Sequence, residues 1–226
     1  MKQLTSEIED TRTLEDLGRA SVQIVHDLKN QLNGLKLYAT FLRKRMEKNE
    51  RPEDERETVA KLIAGLERAA TDMTTLVRYG RPIELHKQNA VALGQILSSI
   101  KNGEAAAVEK IELAIEDEKL QGDFDVAALS EALQAITKGA LGLLRNGMPL
   151  KIQLHRDASN NAEPHALIEW QDIQIKDKDT DVFRSFAGSE ALRMSLAARI
   201  IEAHQGTATQ QANKLLVRLP IKNSDE

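Results

Sequence analysis

His26 is the side chain in this sequence best placed to act as a nucleophile. Imidazole titrates near 6.5, so much of it is neutral at pH 7 and one ring nitrogen keeps a usable lone pair. Asp27 stands beside it and can accept a hydrogen bond from the other ring nitrogen, which orients the ring and makes the free nitrogen more basic. Asn30, Asn33 and Leu37 follow at helical spacing, so they share one face with His26. The remaining histidines, His86, His155, His165 and His204, show no metal-ligand spacing and fit surface or capping positions. His204 falls near a predicted helix C-terminus, where a positive charge is favourable. Trp170 reads as a core residue of a strand.

The element that must carry His26 is a long helix. Its apolar seam runs Leu14, Leu17, Ser21, Ile24, Leu28, Gln31, Leu35, Tyr38, Leu42, in alternating steps of three and four. Val25, Leu32 and Ala39 widen the stripe on one flank, and His26 falls on the opposite, outer side. The break around Pro52 ends this helix. A second helix carries Val59, Leu62, Ile63, Leu66, Ala69, Ala70, Met73, Leu76 and Val77, and stops at Gly80-Arg81-Pro82. Two antiparallel helices cannot bury stripes this wide by pairing alone, so the hairpin predicts a homodimer that closes a four-helix bundle.

From Ile83 the texture changes to short alternating runs: Ile111, Leu113, Ile115; Ile152, Leu154; Ala166, Ile168, Trp170; Leu215, Val217, Leu219. Helical stretches near 93–108, 123–145 and 188–205 lie between them, the last with Gly206 as its predicted cap. Strands with helices collected on one face give an α/β sandwich. The expected fold class is thus a helical hairpin over residues 1–84 followed by an α/β domain over 85–226.

Composition narrows the partners. The chain has 226 residues, 41% hydrophobic and 29% charged, which suffices for a core. A formal net charge of −4 offers no electrostatic footprint for nucleic acid or an anionic membrane. With no cysteine there is neither a disulfide framework nor a thiolate metal site. No run of about 18 apolar residues could span a bilayer, and the opening residues lack the blocks of a signal peptide, so a cytoplasmic protein is expected.

The segment His26-Asp27-Leu28-Lys29-Asn30 resembles the phosphoacceptor box of bacterial sensor histidine kinases, with Gln31 where the family usually has proline. The resemblance implies that His26 carries a phosphoryl group, that Asp27 is its acid–base partner, and that Asn30 positions water or the acceptor. Leu37 is an apolar side chain on the outer face that carries His26, where a bundle has no use for one. Leu37 with Asn33 and the adjoining second-helix surface is therefore the expected docking patch for a response-regulator receiver. The order of elements after Ile83 is similar to the ATP-binding (Bergerat) domain of the same kinases, but its nucleotide residues are replaced. Gly139 stands where the family's magnesium-holding asparagine would be, and Ala135 at the earlier acidic or Asn position. Asp172 matches the adenine-reading aspartate, while Gln174 and Lys176 replace the two glycines after it. Phe183-Arg-Ser-Phe186 resembles the paired-phenylalanine box, and Ala191-Leu192-Arg193-Met194 replaces the glycine-rich start of the last helix.

Taken with the intact histidine box, these losses resemble the histidine kinase-like histidine phosphotransferases of the ChpT kind, which imply a dimeric phosphorelay protein exchanging phosphoryl groups with receiver aspartates. No cofactor is expected, because the receiver brings the magnesium. Two other readings fit the same residues: a divergent ATP-dependent sensor histidine kinase, and a non-catalytic dimeric scaffold that binds a regulator.

Overall fold

Proline at position 52 and three acids after it set the start of the best-defined helix of the N-terminal part. The computed structural model describes residues 25, 28–44, 46, 52–103, 111–144, 148–157, 164–175, 181–186 and 188–222. The chain divides into two compact units, Met1–Pro82 and Ile83–Glu226. In the first, residues 28–44 form helix α1 and Glu53–Tyr79 form helix α2. Glu53, Asp54 and Glu55 occupy the first turn of α2 and Arg78 the last, so both ends complement the helix dipole. Gly80 closes it, donating its N–H to the Leu76 carbonyl at 3.1 Å.

Among the described residues of the hairpin, Ala39 from α1 meets Val59 and Ile63 from α2, with Met46 and Leu66 packed against them. Lys36 and Glu67 pair across it at 2.8 Å, an exposed bridge that contributes at most about 1 kcal/mol. The packed face is therefore the flank of Val25, Leu32 and Ala39, of which Ala39 is buried and the other two are half-buried. The seam itself does not pack here. Leu28, Leu35, Tyr38 and Leu42 are between 41% and 71% exposed, as is Leu62 of α2 at 52%. Two helices need one narrow interface, and the flank supplies it, so the seam is left facing outward within the single chain. Its residues before Leu28 lie outside the described residues.

The second unit begins with strand β1 (Gln88–Ala92) and helix α3 (Leu93–Gly103). Strands β2 (Ile111–Ile115) and β3 (Gln121–Phe124) lead to helix α4 (Val126–Gly142). Strands β4 (Leu150–Arg156) and β5 (His165–Gln171), helix α5 (Ser189–Ala203) and strands β6 (Thr207–Gln211) and β7 (Lys214–Pro220) complete it. The main sheet runs β2-β4-β5-β7-β6, and β1 pairs with β3 in a separate two-stranded sheet. The β2–β4 pairing is parallel and the others are antiparallel.

Each alternating run of the sequence is a strand of the main sheet: Ile111, Ile152, Leu154, Ile168, Trp170, Leu215 and Val217 are all at most 3% exposed, while Leu113 and Ile115 of β2 are half-buried. Lys151, Gln153, Glu169, Gln171, Lys214 and Arg218 alternate with them and stay half-exposed. Trp170 is fully buried and donates its indole N–H to the Thr137 hydroxyl at 3.0 Å, tying β5 to α4. The helix expected over 123–145 starts later, because residues 121–124 pair as β3 and Asp125 caps α4 by accepting the Ala128 N–H.

At the end of α5 the cap differs from the expected one. Gln205, not Gly206, takes the left-handed conformation (φ 64°), and Gly206 donates its N–H to the Ile201 carbonyl at 2.9 Å. The glycine is required for another reason: a Cβ on residue 206 would overlap the Arg218 carbonyl and lie 2.9 Å from Ile201 Cγ2.

Candidate functional site

His26 and Asp27 lie outside the described residues. From Leu28 onward α1 presents Asn30, Asn33 and Leu37 on one exposed face. Leu37 is 54% exposed, the same as Leu35 of the seam. Phe41, one turn farther along and 59% exposed, extends the apolar part of this face. Sequence reasoning passed over it, although its i,i+4 spacing from Leu37 was there to be read. Lys44 follows three residues later, also exposed. Between residues 28 and 44 the helix holds Lys29, Lys36, Arg43 and Lys44 and no acidic residue.

The second unit shows what became of the positions where the resemblance locates a nucleotide. Gly139 is buried in α4, and the space a side chain would need there is filled by Met194 of α5. A Cβ at 139 would overlap Met194 Sδ and lie 3.0 Å from its Cγ. Met194 is itself only 3% exposed. Helix α5 begins at Ser189, close to the expected 188, and Ala191-Leu192-Arg193-Met194 lies within its first two turns. The residue at the start is Gly188, with φ 100°.

Asp172 has φ 64° and pairs with Lys151 of β4 at 3.3 Å. Gln174 is exposed and donates its backbone N–H to the Leu143 carbonyl at 2.7 Å. Lys176 lies outside the described residues. Ala135 is half-buried within α4. Phe183 is buried and Phe186 is exposed, so the two rings of the phenylalanine pair take opposite environments. Among the described residues no group of three or more His, Asp or Glu side chains could hold a metal ion, and no helix is long and apolar enough to cross a membrane.

No known family profile matches the sequence, and comparison with characterised proteins by sequence gives no match. Solved structures do match. Full-length ShkA, in complex with AMPPNP, superposes with a TM-score of 0.64 at 16% identity, over 89% of this chain and 45% of that one. The Acinetobacter baumannii histidine kinase AdeS superposes with a TM-score of 0.56 at 16% identity, over 84% of this chain and 96% of that one. The chain thus spans less than half the length of ShkA. Its fold is histidine kinase-like.

Proposed function

We propose that this protein is a histidine phosphotransferase of a two-component phosphorelay, in which His26 takes a phosphoryl group from the aspartate of one receiver domain and gives it to another. In the first step the P–O bond of an aspartyl phosphate breaks as a P–N bond forms to an imidazole nitrogen, and the aspartate leaves as a carboxylate. The second step reverses this on a different receiver. Asp27 holds the ring through its other nitrogen, and Asn30 positions the incoming group. Asn33 and Leu37 form the docking surface, with Phe41 added to it. Such transfer needs an exposed, oriented imidazole and a well-placed partner, while magnesium and the phosphate cradle come with the receiver.

The observation that carries the choice of phosphotransferase over autokinase is the Gly139–Met194 contact. At the position that resembles the family's magnesium-binding asparagine there is no donor atom, and methionine occupies the space a donor would need. A protein that keeps the phosphoacceptor box and lacks a magnesium ligand at that position must obtain its phosphoryl group elsewhere. The homodimer belongs to the same reading. The outward seam of α1, Leu28, Leu35 and Leu42 with Tyr38 alongside, is the face a second copy would cover. Label passing from a phosphorylated receiver domain to His26 tests the proposal. Calorimetric titration with MgATP tests the kinase alternative: a dissociation constant of about 100 μM or tighter, roughly 5.5 kcal/mol of binding, would favour an autokinase.

A further inference from the structure

His204 is the most deeply buried histidine of the described residues, 1% exposed at the C-terminal cap of α5. Its two ring nitrogens face backbone groups of opposite kind. Nδ1 lies 2.8 Å from the Ile200 carbonyl oxygen, which can only accept, so Nδ1 carries the proton. Nε2 lies 3.1 Å from the Asp125 backbone N–H, which can only donate, so Nε2 offers its lone pair. The ring is therefore held neutral in one tautomer by partners that cannot exchange roles.

Asp125 passes this constraint on. Its carboxylate accepts the Ala128 N–H at 3.0 Å, capping α4, and the His86 N–H at 2.8 Å, fastening the segment that follows the boundary between the two units. The charged groups facing the ring are the Asp125 carboxylate and Lys87 of that same segment. From β3 it is faced by the Phe124 ring, whose centroid lies 5.9 Å away. Burial first, and Lys87 with it, hold the imidazole below its ordinary 6.5, against the Ile200 bond and the Asp125 charge.

We propose that His204 and Asp125 form an acid-sensitive latch on the segment around His86. Protonation at Nε2 sets an N–H against the Asp125 N–H, so that bond is lost. The same proton makes the ring a cation beside the Asp125 carboxylate. The carboxylate turns toward the imidazolium and gives up the His86 N–H, freeing the segment while the sheet stays folded. The latch thus has two arrangements that differ by one proton.

Amide exchange followed residue by residue on the full chain, from about pH 7.5 to about pH 5, tests the latch. Protection of the His86 and Asp125 amides, corrected for the intrinsic pH dependence of exchange, should fall about tenfold across the range while that of Trp170 holds. In His204→Gln, whose amide supplies both a donor and an acceptor without titrating, the two amides should show no such fall. The ring resonances of wild-type His204 give a second reading that needs no variant. They should report the Nδ1–H tautomer and a midpoint below that of an exposed histidine, coinciding with the loss of His86 protection. An equal fall in His204→Gln would overturn the proposal, as would a ring that titrates without change at His86, or protection lost at Trp170 in the same step.

Discussion

Leu37 stands more than half exposed on a helix face that the hairpin core does not use, so a charge placed there separates docking from folding. Leu37→Asp is expected to slow phosphotransfer strongly and to leave the melting temperature nearly unchanged, because exposed substitutions away from caps and cores stay within about 0.5 kcal/mol. Stopped-flow or label-transfer rates beside a thermal melt check both halves. Asp125 makes the opposite case. Its carboxyl is held below the usual carboxylate range by the Ala128 and His86 amides. A folded-state value below the unfolded one gives stability that is present above the unfolded value and lost as pH falls through the folded one. His204 is likewise lowered, so its contribution is present above about 6.5 and declines as pH falls below that. Thermal melts should therefore lose stability first in the mildly acidic range and again below about pH 4. Asp125→Ala should cost about 1–2 kcal/mol at neutral pH and flatten the lower step. His204 also marks a limit of sequence reading. Its place near a helix end suggested a cation beside the dipole, but burial makes it a neutral acceptor instead, and burial is set by β3 and α4, distant in sequence.

The α4–α5 contact has a consequence that a double-mutant cycle can read. Gly139→Ala places a methyl against Met194 and should destabilise the second unit by about 1–3 kcal/mol, whereas joining it to Met194→Ala should recover about 1 kcal/mol or more of the summed loss. Simple additivity in denaturant melts would show that the two sites do not meet. The elements themselves were legible to different degrees. Strands β2, β4, β5 and β7 announce themselves by alternation, because one face packs on helices and the other meets water. Strands β1, β3 and β6 do not. Gln-Gly-Asp-Phe of β3 and Thr-Ala-Thr-Gln-Gln of β6 have no apolar period, and pairing with a partner strand defines them. On α1 the heptad-like seam was legible but its partner was not, and the hairpin packs on the neighbouring flank. The replacement of Gly139 was visible as a missing ligand, while the methionine that fills its place comes from 55 residues later and could be found only in the fold.

Across the whole molecule the outward seam predicts association. Leu35→Asp should convert a homodimer into a monomer in sedimentation at micromolar concentration, without unfolding the second unit, and a wild-type chain that sediments as a well-folded monomer would remove the basis for the bundle. A histidine kinase-like fold joined to a segment that resembles a phosphoacceptor box permits either a kinase or a relay protein, and the source of the phosphoryl group decides between them. The most direct measurement incubates the protein with a receiver domain carrying labelled phosphate on its aspartate, beside a parallel sample given labelled ATP and magnesium. The proposed relay function predicts rapid label on the wild type from the receiver, none on His26→Ala, and none on either protein from ATP. Label arriving from ATP alone, or label from the receiver that persists in His26→Ala, would contradict it.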